Sequence, residues 1–115
     1  MYFQDANGEY AMEVGEMARS LGSDYSIYVL GEPRIFSGFP TLAFLAPDNF
    51  RMDLGAGNME TFQLASGQKA AFFAIPENRA LLATVMDKYP GGETGFVHRK
   101  PKPEEILFEF YVLSH

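Results

Sequence analysis

The sequence contains no cysteine and no tryptophan, and it has only two histidines, one of which is the last residue. Without cysteine the protein cannot form a disulfide, a thiolate metal site or a cysteine nucleophile. The internal histidine, His98, has no second histidine at a metal-binding spacing, so the sequence predicts no metal site and no cofactor. The motifs of phosphate-binding loops and of serine hydrolases, GxGxxG, GxxxxGK[ST] and GxSxG, are missing too.

The chain also lacks a long apolar run and an excess of basic residues. No stretch approaches the roughly eighteen apolar residues that a membrane span requires, and no signal peptide opens the chain. Nine basic residues stand against fifteen acidic ones, which gives a formal net charge of −6. This charge disfavours nucleic acid as a partner, because phosphates need a basic surface. What remains, 115 residues of which 47 % are apolar, is typical of a single soluble domain.

The strongest structural signal is the stretch from Lys69 to Gly92. Residues 70–75 form a continuous apolar run, which predicts a strand covered on both faces. Pro76 suits the first turn of a helix, apolar residues then recur at helical spacing, and Pro90-Gly91-Gly92 ends the helix. The stretch therefore predicts a strand, a helix and a sharp turn in succession.

The remaining elements follow from similar patterns. An amphipathic helix is predicted from about Asn7 to Leu21, capped by Asp5 or Asn7, with Glu9 off its apolar face. Gly15 marks either a small loss of helix stability or a point of close packing. Strands are predicted at residues 25–30, near 51–55, at 94–99 and at 106–113. A helix that begins at Pro40 is favoured over a strand at 41–46. Residues 59–64 are predicted to form a turn or two of helix.

This element order predicts an α/β fold for residues 1–115. The protein is expected to be a layered single domain with a mixed, mostly parallel sheet of about five strands and a C-terminal antiparallel hairpin. The helix at Pro40 would supply the crossover that makes its two flanking strands parallel neighbours.

Four residues are candidates for ligand binding: Glu32, Arg34, Phe36 and Phe39. Glu32 and Arg34 follow a predicted parallel strand, at the end where open α/β sheets bind ligands, and their charges suit a sugar hydroxyl or an anion. Phe36 and Phe39, with Phe44, would offer aromatic faces for sugar rings. The alternatives are a solvated ion pair in a surface turn for the two charges and core packing for the aromatic residues.

A small enzyme would need two polar side chains beside one substrate atom. Glu32, Asp53 and His98 are the residues available for this, but none of them stands in a catalytic motif. Carboxylates are common among fifteen acids and do not by themselves indicate a glycosidase. The sequence therefore predicts no catalytic residue, and it favours His98 as a strand residue on a solvent face.

The one basic cluster is Arg99-Lys100-Pro101-Lys102, in the loop of the predicted hairpin. Lipid phosphates or the body of a larger protein would be suitable partners for it. A solvated loop, in which lysine and proline prevent edge pairing, explains the cluster equally well.

Several turn and strand-end motifs, taken in order, resemble a known family. They are Tyr2-Phe3, YVLGEPR at residues 28–34, FPTL at 39–42, LAP at 45–47 and KYPGG at 88–92. This order is similar to the soluble C-terminal region that follows the transmembrane helices in bacterial membrane glycosyltransferases of the dolichyl-phosphate-mannose-protein mannosyltransferase-like group. The resemblance covers nearly all of the chain.

The resemblance implies a part of an enzyme that is not itself the catalyst. In that group a lipid-phosphate-sugar donor is attacked by an acceptor, and acidic catalytic residues lie in loops of the membrane portion, so no catalytic residue carries over to this chain. What is implied is an extracytoplasmic domain at the C-terminus of a hexosyltransferase-type enzyme, assisting acceptor recognition or acting as a scaffold. Its partners would be the transmembrane portion of the same polypeptide and a glycan or polypeptide acceptor. The alternative is a free-standing carbohydrate-binding or protein-interaction module.

Overall fold

The computed structural model describes residues 6–114, so the Tyr2-Phe3 motif and the cap expected at Asp5 lie outside the described part. Eight elements and a short 3₁₀ turn follow one another along the chain. They are α1 (Ala6–Leu21), β1 (Ser26–Leu30), α2 (Pro40–Leu45), β2 (Arg51–Asp53), β3 (Ala70–Ala74), the 3₁₀ turn (Pro76–Asn78), α3 (Arg79–Lys88), β4 (Glu93–His98) and β5 (Ile106–Leu113). No helix within residues 6–114 is long and apolar enough to cross a membrane.

The strands form one five-stranded sheet in the order β2-β1-β3-β5-β4. β1 pairs in parallel with β2 and β3, so that Val29 lies opposite Asp53 on one side and Phe73 on the other. β5 is antiparallel to both β3 and β4. The predicted α/β class, the mixed sheet and the C-terminal hairpin are confirmed, with the parallel pairs at one end of the sheet.

Helices and a loop cover the two faces of the sheet. α1 and α2 pack on one face, against alternate strand residues such as Val29 and Phe73. α3 and the loop after β2 pack on the other face, against Tyr28 and Phe72. Every residue of β3 is buried, because a strand with both faces covered has no solvent side.

Three local predictions can be compared with the structure. A Cβ at Gly15 would lie 2.7 Å from the Cβ of Leu45, so Gly15 is a point of close approach between α1 and α2. Residues 59–61 lie in a turn and residues 62–64 have no regular structure, so no helix forms there, although the Phe62 amide does donate to the Asn58 carbonyl at 3.1 Å. Pro76 begins the 3₁₀ turn, and the α-helix itself starts three residues later.

Glu9 corrects the prediction that the acidic residues of α1 lie off its buried side. Its side chain is only 1 % exposed and accepts hydrogen bonds from Arg99 Nε at 3.1 Å and from the Lys100 backbone N at 2.7 Å. A carboxylate is tolerated in this position because it is paired and hydrogen-bonded. Lys100 Nζ also contacts Glu13 at 3.0 Å, so the basic hairpin loop is attached to α1.

Candidate functional site

The carboxyl ends of β1, β2 and β3 meet at one edge of the sheet, because the three strands are parallel. The loop that follows β1 holds all four predicted ligand-binding residues, Glu32, Arg34, Phe36 and Phe39. The segment after β3 brings Glu77 to the same edge. Open α/β sheets bind ligands at this edge. The contacts of these side chains therefore show whether they are open to a ligand or paired within the protein.

Arg34 is held on both sides by protein groups. Its Nε and Nη2 donate to the two carboxylate oxygens of Glu77, at 2.8 and 3.0 Å. Its Nη1 donates to Asn7 Oδ1 at 2.9 Å, and Asn7 Nδ2 donates back to the Arg34 carbonyl at 3.1 Å. The hydrogen bond from Arg34 lowers the pKa of Glu77. Arg34 thus forms a bidentate pair that joins α1, the loop after β1 and the 3₁₀ turn.

Glu32 lies in a tight turn whose backbone is held by hydrogen bonds from Asn78, in the 3₁₀ turn after β3. Asn78 Nδ2 donates to the carbonyls of Leu30 and Glu32, each at 2.9 Å, and the Glu32–Pro33 peptide is cis. A Cβ at Gly31 would lie 2.1 Å from Ile35 Cγ2, so only glycine fits there.

Two further polar side chains near this edge, those of Asp53 and Tyr10, are hydrogen-bonded to other groups of the protein. Asp53, at the end of β2, accepts hydrogen bonds from the Ser37 backbone N at 2.6 Å and from Ser37 Oγ at 2.9 Å. The Tyr10 hydroxyl donates to the Phe73 carbonyl at 2.7 Å. Burial raises the pKa of Tyr10 well above its usual value, so the phenol stays protonated and acts as a strut between α1 and β3.

The aromatic candidates are dispersed. Phe36 is 46 % exposed and Phe44, on α2, is 81 % exposed, whereas Phe39 is partly buried against the core under α1 and α2. No ring contact joins the three within residues 6–114.

The three residues considered for an enzyme are not gathered in one cleft. His98 is exposed on β4, at the opposite edge of the sheet from β2 and its Asp53. Four well-formed cavities of the described part have linings that do not include Glu32, Asp53 or His98. Residues 6–114 also contain no group of three or more histidine or acidic side chains that could hold a metal ion.

A cavity of about 470 Å³ lies on the α3 side of the sheet, beside the edge strand β2 and the loop that follows it. We call it the β2 cavity. The rings of Tyr28, Phe50 and Phe62 contribute to its wall, with the Tyr28 ring 5.0 Å from that of Phe62 and 6.2 Å from that of Phe50. Phe50 is 59 % exposed.

Amides and hydroxyls complete the wall of the β2 cavity. Gln68 Nε2 donates to both Ser26 Oγ and Tyr28 Oη, each at 3.0 Å, and Asn58 and Gln63 lie nearby in the lining. The described lining residues include no charged side chain. Sequence reasoning missed this site because its residues come from three separate segments of the chain. The sequence signal that could have indicated it is the set of amide side chains between residues 58 and 68, together with the alternating polar and aromatic residues Ser26 and Tyr28 of β1.

Comparisons of the chain with protein-family models, with curated proteins and with solved structures found no match.

Proposed function

We propose that this chain is a non-catalytic extracytoplasmic domain of a membrane glycosyltransferase that uses a lipid-linked sugar donor. In this role it assists acceptor recognition or supports the acceptor site. One observation carries the proposal: at the carboxyl edge of the parallel strands, the side chains of Arg34, Glu77 and Asp53 are engaged in hydrogen bonds that hold the fold together.

The contacts of these side chains favour a structural role over catalysis. An enzyme built on this fold would direct an acid, a base or an anion-binding group from the carboxyl edge towards a substrate. Here Arg34 is paired with Glu77, and Asp53 is hydrogen-bonded by Ser37. The edge therefore joins elements of the protein to one another.

The motifs behind the family resemblance have the same architectural character. Gly31 permits the tight turn after β1. In the KYPGG motif the Gly92 amide donates to Tyr111 Oη at 2.9 Å, and that hydroxyl in turn donates to the Tyr89 carbonyl. A resemblance made of such turns supports a shared fold in a domain that accompanies the catalytic portion.

The proposal predicts where the chain is found in its source cells. An antibody raised against residues 6–114 is expected to detect a polypeptide much larger than this chain, in the membrane fraction. Proteinase K added to intact spheroplasts is expected to destroy the epitope, because an extracytoplasmic domain is open to the protease.

A cytoplasmic marker protein in the same spheroplasts serves as the control and should survive the protease until the cells are lysed. Recovery of the epitope from the cytosolic fraction, on a polypeptide of about this chain's size, would refute the proposal. So would an epitope that is protected together with the cytoplasmic marker.

A further inference from the structure

The β2 cavity has the size of a small-molecule site. Ligand cavities in proteins typically have volumes of about 300–1,000 Å³, and this one has about 470 Å³. It lies on the sheet face opposite α1 and α2 and is bordered by the loop after β2. It is therefore separate from the Arg34–Glu77 edge.

Hydrogen bonds inside the cavity leave two hydroxyls ready to donate. The Gln68 side-chain nitrogen has two hydrogens, and it donates one to Ser26 Oγ and the other to Tyr28 Oη. Gln68 Oε1 is itself held by the Ala65 backbone N at 3.0 Å. Because each hydroxyl accepts from the amide, each keeps its own proton for a further acceptor. A single fixed amide thus orients a pair of donors on one face of β1.

Phe50 supplies an apolar surface beside these donors. With 59 % of its surface exposed, the side chain is accessible, and its ring meets the Tyr28 ring at an interplanar angle of 63°. A ligand with an apolar face and a polar rim would stack on the ring and still reach the hydroxyls.

The charge of the lining narrows the class of ligand. The chain carries a net charge of −6, yet amides, hydroxyls, rings and a thioether make up the described lining. An anion or a cation held in such a site would lack the paired charge that a desolvated ion requires. A neutral ligand that has both hydroxyl groups and C–H faces meets all of these conditions.

We infer that the β2 cavity binds a neutral pyranose sugar unit, which stacks on Phe50 and accepts hydrogen bonds from Ser26 and Tyr28. The inference rests on the proposed function, since it names the kind of acceptor that the domain would recognise.

The test is a titration of the ¹⁵N-labelled 115-residue chain with methyl glycosides of glucose, mannose, galactose and N-acetylglucosamine and with their disaccharides. At least one of these sugars is expected to bind saturably and to shift the amide signals of Phe50, Met52 and Gln68. Phe50→Ala should weaken that binding about tenfold, the size expected for the loss of one stacking surface. Tyr28→Phe, which keeps the ring, should weaken it several-fold.

Phe44→Ala is the matched control, because Phe44 is even more exposed and lies on α2, across the sheet; it should bind as the parent chain does. Glucuronate and adenosine are titrated in parallel as charged and non-sugar competitors. Four results would overturn the inference: no sugar binds, the Phe50 and Tyr28 variants bind sugar as tightly as the parent chain does, glucuronate or adenosine binds more tightly than every neutral sugar, or the signal shifts occur at Phe36 and Phe44 instead. The last result would favour a module that uses residues 34–44. Membrane fractionation does not depend on any of these outcomes, so the two proposals can fail separately.

Discussion

At the scale of single residues, the pairing of Arg34 explains why a promising sequence signal has a structural role. An arginine beyond a parallel strand is well placed to bind an anion, and Glu32 lies two residues before it. The guanidinium is nevertheless paired with Glu77, 43 residues further along the chain, and with Asn7 of α1. Sequence spacing indicates the edge but not the partner, because the partner is determined by how β1 and β3 align.

This pair predicts a pH dependence of stability. The folded-state pKa of Glu77 is lowered by the hydrogen bond from Arg34, so the pair contributes stability above the unfolded-state pKa of about 4.3. That contribution is lost as the pH falls through the lower folded-state value. Urea unfolding should therefore show the parent chain more stable than Glu77→Gln above about pH 5, with the difference shrinking below about pH 4. A difference that stays constant across this range would contradict the assignment.

At the scale of elements, the hairpin formed by β4 and β5 is attached to α1 through its basic loop. Buried Glu9 accepts hydrogen bonds from Arg99 Nε and from the Lys100 backbone N, whereas Glu13, one turn later on the helix, contacts the exposed ammonium group of Lys100. The amphipathic pattern predicts α1 and its apolar face correctly. It misplaces Glu9, because hydrophobic periodicity carries no information about a loop 90 residues away that supplies the matching charge.

The two acids of α1 should differ in their effect on stability. Glu9→Ala leaves Arg99 beside an emptied buried site and is expected to cost about 2–4 kcal/mol. Glu13→Ala, the matched control, removes an ion pair whose lysine side chain is 78 % exposed and should cost clearly less than Glu9→Ala. Urea unfolding of both variants measures the difference, and equal values would show that the loop is not held through Glu9.

At the scale of the whole molecule, the α/β class and most elements were predictable because they depend on local patterns. The apolar run of β3 reports a strand covered on both faces, and prolines mark the starts of α2 and the 3₁₀ turn. The β2 cavity was not predictable in this way. Ser26 and Tyr28 come close to Phe50 and Gln68 only when β1 pairs with β2 and the following loop folds over the sheet.

The central claim is that Arg34, Glu77 and Asp53, at the carboxyl edge of the parallel strands, stabilise the fold. Residues kept for a ligand or a reaction are often suboptimal for stability, so that their removal stabilises the protein. The most direct test is the free energy of unfolding of Arg34→Ala at neutral pH, with Lys69→Ala, which breaks an exposed ion pair with Asp24, as control. We predict that Arg34→Ala destabilises the chain by about 1–2 kcal/mol and that the control has a much smaller effect. An Arg34→Ala chain as stable as the parent, or more stable, would contradict the account.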